Sequence, residues 1–289
     1  MEESKKMAPV LMILAFLLVY ETQSARIAKP PAKFAAFNIK DFGMKKMSNQ
    51  PVAYLIKQIL LQYDLVLIQE IKDKTGQAIL GLLNALNYGA RPEAVYKHVL
   101  SNRLGKSTSY KEQYAYFYRP SQFELLDVPA EIDYPAGNFE RPPFCAKFRA
   151  RRSGTVFGFV GIHTKPAYAV HEIDGLYDVY HKLKNDWGTD NFILGGDFNA
   201  GCNYVRARDW NRIRLRTDPK FRWFIGNETR TNVIGKKGCP YDRLVGVGDI
   251  YFLSSIRYCT VQRYGGNIRL TQTQAESVSN HYPVQCELH

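Results

Sequence analysis

Acidic residues are scarce in this 289-residue sequence, where 27 Asp and Glu stand against 39 Lys and Arg and leave a formal net charge of +12. A surplus of positive charge favours polyanionic partners such as nucleic acid or acidic glycans. Charge alone does not exclude the plainer interpretation of a basic protein that is merely soluble. The cationic residues fall in clusters at Lys45–Lys46, Arg149–Arg152, Arg206–Arg216 and Lys236–Lys237.

Long apolar runs are also lacking. The N-terminal run Ala8–Tyr20 offers about 13 apolar residues, fewer than the ~20 that cross a bilayer. Lys5 and Lys6 precede this run and small residues follow it at Ser24 and Ala25, which is the pattern of a cleaved secretory signal. We therefore predict a signal peptide over residues 1–24 and a secreted chain over residues 25–289, without a membrane anchor.

Linkers, low-complexity tracts and internal repeats are absent as well, so we predict a single domain over residues 25–289. Apolar residues recur at helical spacing over 52–60, 79–86 and 173–187. These stretches alternate with strand-like runs, which predicts an α/β fold with one mixed sheet or two. The strand-like runs are Phe34–Phe37, Leu65–Ile68, Ala115–Tyr118, Phe123–Leu126, Val156–Ile162, Phe192–Leu194, Arg243–Val247, Ser254–Tyr258 and Val284–Leu288.

Cysteine is sparse, with five residues, and an odd number leaves at least one thiol without an internal partner. Cys202 and Cys239 each lie close to a segment with candidate site residues, and a bridge between them would tie the two segments together. We predict this disulfide, because an exported chain permits it. Whether two of the others pair stays open; they are Cys145, Cys259 and Cys286. One glycosylation sequon begins at Asn227.

The most informative segment is Phe192–Asn199, where an apolar strand is followed by two glycines, an acid and, two residues later, an amide. Strand alternation predicts that Asp197 and Asn199 project to one side while Phe198 packs on the other. An ordinary Asp/Asn turn would explain the pattern equally well. Other chemically useful residues lie at the ends of similar apolar runs, which favours a site; they are Asn38, Glu70, Glu112, His163, Asp242 and His281.

Together these residue types suit metal-assisted hydrolysis of a phosphodiester. A hard cation such as magnesium takes carboxylate and amide oxygens, which four residues could supply: Glu70, Asp197, Asn199 and Asn38. Two histidines could move the protons, each oriented by a carboxylate. The histidines are His163 and His281, and the carboxylates are Glu112 and Asp242. Each residue taken singly has an ordinary explanation, and spacing alone cannot unite them.

A resemblance unites them. The chain resembles the deoxyribonuclease I family, within the endonuclease/exonuclease/phosphatase fold, and its stretch from Asn199 to Ile225 is most similar to the gamma-type branch. This resemblance implies a four-layer α/β/β/α sandwich with two packed mixed β-sheets flanked by helices. The matching segments are Phe37–Ile39, Leu67–Glu70, Ser109–Tyr114, Ile162–Thr164, Gly196–Asn199, Ile213–Thr217, Tyr241–Arg243 and His281–Val284.

The resemblance also implies an activity. It implies an endonuclease that hydrolyses double-stranded DNA with magnesium or manganese, with little sequence preference, leaving 5′-phosphates, and acting as a monomer. His163 with Glu112, and His281 with Asp242, match the family's two catalytic pairs. Glu70, Asp197, Asn199, Asn38 and position 280 match the metal and phosphate region. The positions that match DNA contacts are Tyr110, Arg141, Lys40 and Lys72.

One departure weakens the expected site. Asn280 stands where the family has an aspartate, and an amide brings no negative charge to a cation. Two hypotheses follow: a working endonuclease with weaker metal binding, and a catalytically impaired relative that only binds DNA. Other phosphoesterases of the same fold are a third class.

Two further departures concern calcium and actin. Cationic Arg230 and Lys236–Lys237 occupy the family's calcium loop, and Gly137 stands where a second calcium region would benefit from an acid. Calcium binding is therefore possible but weaker than the family norm. His98 replaces a tyrosine that contributes to actin binding in the family's namesake, so tight actin binding is doubtful.

Overall fold

The computed structural model describes residues 30–129, 131–235, 237–264 and 269–289. The predicted signal peptide, residues 1–24, lies outside them. Residues Ala32–His289 form one compact unit. Within the described ranges, no helix is both long enough and apolar enough to cross a membrane.

Two six-stranded sheets form the centre of the fold. The first sheet runs in the order β11 (Ile256–Val261), β12 (Val284–Leu288), β1 (Ala32–Phe42), β2 (Leu65–Ile71), β4 (Gln113–Tyr118) and β3 (Lys97–Leu100). The second runs in the order β5 (Phe123–Asp127), β6 (Phe144–Ala150), β7 (Val156–Gly161), β8 (Phe192–Asp197), β10 (Asp242–Val247) and β9 (Arg222–Trp223). Both sheets are mixed, because β1 and β2 are parallel, β7 and β8 are parallel, and the other pairs are antiparallel.

Helices cover the outer faces of the two sheets. Strand β1 shows why, since its alternate residues Phe34 and Ala36 pack between the sheets while Ala35 and Phe37 pack against helices. A strand buried on both faces reads as a continuous apolar run, as this one does. The predicted four-layer sandwich is thereby confirmed.

The helices include the three that apolar spacing predicts. These are α2 (Gln50–Leu60), α3 (Gln77–Asn87) and α4 (Ala169–Trp187). Asn49 caps α2 by accepting a hydrogen bond from the Val52 amide, and α4 ends at Gly188, whose φ of 62° favours glycine. Shorter helices are α1 (Met44–Met47), α5 (Arg214–Thr217), α6 (Ile250–Ser255) and α7 (Gln272–Val278), with 3₁₀ turns at Pro92–Ala94, Pro166–Tyr168 and Ala207–Arg212.

Sequence patterns locate nine strands and miss three, β3, β6 and β9. Several strand boundaries differ from the prediction. The strand predicted over Ser254–Tyr258, for example, begins at Ile256, because Ser254 and Ser255 form the last turn of α6. Strand β6 was missed although its second half alternates: Ala146, Phe148 and Ala150 are buried, and Lys147 and Arg149 lie between them.

Disulfides join Cys202 to Cys239, the pair expected from the sequence, and Cys259 to Cys286. The second links β11 to β12. Cys145 is a buried free thiol on β6. Two disulfides in one chain suit an oxidising compartment outside the cytosol.

Candidate active site

Asp197, at the end of β8, is the centre of a cluster of buried polar groups. Its Oδ2 lies 3.1 Å from Asn38 Nδ2 and 3.5 Å from Nε2 of both His163 and His281. Its Oδ1 accepts from the Asn199 amide at 3.0 Å. Asp197 is only 2% exposed, so these contacts form in a medium where charge interactions are strong.

The segment that delivers Asp197 depends on glycine. Gly196 has a φ of 133°, and a Cβ there would lie 2.2 Å from the carbonyl oxygen of Ile162. The strand ends at Asp197, and Asn199 has a left-handed φ of 47°. Asp197 and Asn199 line the same cavity and Phe198 packs in the core, as expected from the sequence, but Asn199 lies beyond the strand, so alternation is not what places it. A hydrogen bond from its Nδ2 to the Thr164 carbonyl, 3.0 Å, orients it instead.

The first histidine pair joins β7's end to the segment before β4. Nδ1 of His163 donates to Glu112 Oε1 at 2.6 Å. Arg141 lies against the same carboxylate, with Nε 3.2 Å from Oε1, and donates to the carbonyls of His163 (2.9 Å) and Thr164 (3.0 Å). The cationic side chain of Arg141 therefore holds both members of the pair in place.

Charge sets the ionisation of this first pair. Burial lowers the pKa of His163, and the charge of Arg141 lowers it further. The charge of Glu112, the hydrogen bond to Glu112 and the charge of Asp197 together outweigh both and raise the pKa. Burial would raise the pKa of Glu112, but the charges of His163 and Arg141 and the hydrogen bond from His163 lower it. Glu112 is thus held as a carboxylate that orients the imidazole.

The second pair is built from β10 and the segment before β12. Nδ1 of His281 donates to Asp242 Oδ2 at 2.9 Å, and Asp242 lies directly opposite Asp197 in the β8–β10 ladder. The His281 amide donates to Ser279 Oγ at 3.1 Å, and that hydroxyl donates to the Asn38 carbonyl at 2.6 Å. Burial lowers the pKa of His281, but Asp242 and Asp197 outweigh it and raise the pKa to about 10.

Glu70 and Asn38 complete the cluster from the first sheet. The Asn38 amide donates to Glu70 Oε1 at 2.9 Å as well as to Asp197, and its Oδ1 accepts from the Lys40 amide. Burial would raise the pKa of Glu70; the charge of His163 and hydrogen bonds from Asn38 and Asp41 lower it. Glu70 has a φ of 58°, a costly conformation for a residue with a Cβ. Asn38 thus bridges two carboxylates, and both polar groups of its side chain are already used.

These residues surround an open cavity of about 470 Å³. Tyr110 is 49% exposed at its rim, with Lys72 Nζ 4.1 Å from its ring centroid, and Lys72 also contacts Asp41. Arg141 lines the cavity although it is 5% exposed. Lys40 and Asn280 line a second cavity instead, which meets the first at His281.

Several supporting residues were missed by sequence reasoning. Gln69 accepts from the Asp197 amide at 2.9 Å, and Thr231 Oγ1 accepts from the Asp242 amide at 3.1 Å. Glu172 accepts from the amides of Glu140 and Lys165, both at 3.0 Å. A polar residue inside an apolar strand, as at Gln69, is the one signal that could have found any of them.

The donor atoms suit a hard divalent cation. Glu70 and Asp197 present carboxylates to the same cavity that Asn199 lines, which is the oxygen chemistry that magnesium prefers. A second group of possible ligands is Asp197, Asp242 and His281, whose ligand atoms lie within 4.8 Å of one another. His281 and Asp242 of that group already form a hydrogen bond with each other, so the first set fits better.

Comparison with known proteins shows the family to which the chain belongs. The model of the endonuclease/exonuclease/phosphatase family matches residues 36–264. The chain is 37% identical to deoxyribonuclease gamma of Mus musculus, covering 96% of this chain and 88% of that protein. It is 40% identical to deoxyribonuclease-1 of Rattus norvegicus, covering 89% and 91%.

Solved structures show the same fold at lower identity. An endonuclease/exonuclease/phosphatase from Bacteroides vulgatus superposes with a TM-score of 0.60 at 18% identity, covering 90% of this chain and 100% of that one. A protein of the same family from Bacteroides thetaiotaomicron gives 0.59 at 18%, covering 90% and 98%. These two likenesses concern the fold alone.

Proposed function

Because this chain belongs to the endonuclease/exonuclease/phosphatase family and, within it, to the deoxyribonuclease I family, we propose a secreted, divalent-cation-dependent enzyme that cuts double-stranded DNA to 5′-phosphate products. The chain is an endodeoxyribonuclease, and the relatives named above are deoxyribonucleases. Secretion, the cation and the product ends are the finer parts of the proposal.

The observation that carries it is the position of Asp197 Oδ2, 3.5 Å from Nε2 of His163 and of His281. Each imidazole uses Nδ1 to bind a carboxylate, so each Nε2 is directed toward the centre. One imidazole takes a proton from the attacking water, and the other gives a proton to the departing 3′ oxygen. Such proton transfers contribute about 10²–10⁴-fold each.

Glu70, Asp197 and Asn199 would hold the cation, which supplies positive charge to the phosphoryl oxygens when bound. Asn38 keeps the two carboxylates together, and Arg141 and His163 approach the same cavity from the second sheet. Tyr110, Lys72 and Lys40 extend the contact surface to flanking DNA. Cations that touch phosphates position a duplex without reading bases, which accounts for low sequence preference.

Secretion is supported by the two disulfides and by the signal-like N-terminal sequence. Asn227 is exposed, as a glycosylation site must be. Action as a monomer and weak or absent actin binding remain predictions from the resemblance.

The alternative of an impaired DNA-binding relative is not favoured. Both histidine pairs are assembled with hydrogen bonds of 2.6 Å and 2.9 Å, and a pure binding protein has no physical need for either. Asn280 departs from the family, yet it lies in the neighbouring cavity rather than among the cavity-lining groups around Asp197.

Plasmid nicking with magnesium or manganese tests the function. We expect the wild type to nick supercoiled DNA and to stop in excess chelator. Asn280→Asp should increase the rate or lower the cation concentration needed, because a carboxylate returns beside His281. Asn185→Asp, an exposed amide far from this cavity, is the matched control.

Ligation of the nicked product by DNA ligase without prior end repair checks for 5′-phosphate and 3′-hydroxyl ends. No nicking by the wild type under either metal, with nicking by Asn280→Asp, would overturn the proposal of a working enzyme.

A further inference from the structure

The main cavity, the one of about 470 Å³ around Asp197, contains a carboxylate that the proposed chemistry does not use. Among the described residues that line this cavity, Glu70 and Asp197 are assigned to the cation, and the third acidic residue is Glu140. Glu140 lies next to Arg141, on the segment before β6. A negative charge at this place repels the phosphates of DNA and therefore acts against substrate binding.

Contacts on both oxygens hold the carboxylate of Glu140 in the cavity wall. Oε1 accepts a hydrogen bond from the Lys106 amide at 3.0 Å, and Oε2 accepts one from Lys165 Nζ at 2.9 Å. The backbone amide of Glu140 donates to Glu172 Oε1 at 3.0 Å. The side chain of Glu140 is only 11% exposed, so it has little freedom to turn toward solvent.

This carboxylate is ionised at neutral pH. Burial would raise the pKa of Glu140, but the hydrogen bonds from Lys165 and the Lys106 amide, and the charges of Lys165 and Arg141, lower it. Glu140 therefore presents a full negative charge to any polyanion that enters the cavity.

Lys165, the partner of Glu140, is held less firmly. Its backbone amide donates to Glu172 Oε2 at 3.0 Å, but its side chain is 42% exposed. A salt bridge with so exposed a member contributes little to stability, because water screens the charges. Nζ of Lys165 also lies 5.2 Å from the ring centroid of Tyr168, which gives the ammonium a second favourable contact. The ammonium can therefore leave Glu140 at little cost.

We propose that Lys165 is a further phosphate contact of the enzyme and that Glu140 lowers its affinity for DNA. Lys165 lines the same cavity as His163 and follows that histidine by two residues, so its ammonium suits a phosphate beside the one that is cut. Lys40 lines the neighbouring cavity, beyond His281. A strand with its scissile phosphate between the two histidines thus meets an ammonium on each side.

The two members of the salt bridge act on DNA with opposite signs. When DNA binds, the ammonium of Lys165 moves from the carboxylate to the phosphate, while the fixed carboxylate of Glu140 remains as a repulsive charge. The inference rests on the proposed function and adds one residue that binds the substrate and one that weakens its binding.

Binding of a labelled DNA duplex in chelator tests this without catalysis. Lys165→Gln and Glu140→Gln each remove one half of the salt bridge. The matched controls are Lys182→Gln and Asp186→Asn, from a partly exposed salt bridge of 2.7 Å on α4 that does not line the main cavity. We expect Lys165→Gln to weaken binding about 5-fold and Glu140→Gln to tighten it about 5-fold, with each control within about 2-fold of wild type.

The opposite directions separate a charge effect from a structural one. If the salt bridge only holds the cavity wall together, removal of either partner breaks the same contact, and both variants weaken binding. A folding defect also only weakens binding, so it does not produce tighter binding by Glu140→Gln. Both shifts should shrink as salt rises from about 50 to about 200 mM, because ions screen the charges.

Any other pattern would overturn the inference, such as weaker binding by both variants or shifts no larger than those of the controls. Plasmid nicking by the wild type is scored separately. A chain that shows the expected shifts in duplex binding but never nicks would contradict the proposed function alone.

Discussion

The two histidine–carboxylate pairs place Nε2 at the same distance, 3.5 Å, from Asp197 Oδ2, yet the protein holds them by different means. The pair of His163 and Glu112 is fixed by buried charges. The pair of His281 and Asp242 is fixed by backbone pairing and neutral hydrogen bonds. One chemical centre thus depends on two kinds of support.

Both positively and negatively charged side chains surround the first pair. Arg141 binds Glu112 and the His163 carbonyl, and Glu172, which is 1% exposed, accepts from the amides of Glu140 and Lys165. Glu172 therefore ties the segment that carries Arg141 to the segment that follows His163. The pKa of Glu172 is raised, because burial leaves its carboxylate poorly solvated.

Support for the second pair runs through the loop from Thr231 to Cys239. The Val233 amide donates to the Asn280 carbonyl and the Tyr282 amide donates to the Thr231 carbonyl, both at 2.7 Å, on either side of His281. The disulfide from Cys239 to Cys202 anchors the loop. The first pair should therefore respond to single charge changes, and the second to changes in the loop.

The largest expected effect comes from the disulfides. Replacing Cys202 and Cys239 by serine, or Cys259 and Cys286 by serine, should each cost about 3–4 kcal/mol on the chain-entropy model, from loops of 37 and 27 residues. Denaturant unfolding measures this loss. Only the first double variant should also lower kcat, measured well below its melting temperature, since only that bridge anchors the loop beside His281. Equal kcat for the two variants would show that the loop beside His281 does not support the second pair.

Next is Arg141→Gln. Removing the guanidinium leaves Glu112 with one partner fewer in a buried place and should lower kcat about 10- to 100-fold. Arg141 lowers the pKa of His163, so its removal should move the His163-dependent limb of the pH–rate profile to higher pH. Arg212→Gln, at an exposed arginine, is the control. An unshifted profile would mean that Arg141 does not act on His163.

A smaller effect is expected for Glu172→Gln. An amide NH₂ would then face one of two backbone N–H donors, which disturbs the alignment of both segments and should lower kcat about 10-fold with little change in KM. Glu276→Gln, at an exposed glutamate on α7, is the control. A change in KM alone would contradict a role in positioning His163.

Calcium should have the smallest effect. Carbonyls that could bind a cation in the Thr231–Cys239 loop are already bound by Arg230 and Asn232. We expect millimolar calcium to raise the melting temperature by less than about 2 °C, since little binding means little stabilisation. A rise of several degrees in differential scanning calorimetry would show that calcium supports the second pair.

Much of the fold was predictable because strands and helices have local signatures. The three long helices follow from apolar spacing. The glycines before Asp197 mark the end of β8, where the backbone lies too close to Ile162 for a side chain at position 196. Strand β6 was missed because no continuous apolar run marks it; its signal is the alternation of buried residues with Lys147 and Arg149.

The site was less accessible. Asp197 and His281 are 84 positions apart in the numbering, and their contact depends on how two sheets pack, which no local pattern encodes. The family resemblance identified the two histidine–carboxylate pairs, but not the residues that hold these pairs in position. The roles of Glu172 and Arg230 depend on backbone amides and carbonyls that become neighbours only in the folded chain.

The central claim is that the two histidines do complementary proton work around Asp197. A DNA substrate with a 3′-thiolate leaving group needs no protonation at the leaving atom, so it bypasses the general acid but not the general base. His163→Ala and His281→Ala should each lose about 10²–10⁴-fold on ordinary DNA. On the thiolate substrate, one of the two variants should regain most of its rate and the other should not. Recovery of both, or of neither, would contradict the account.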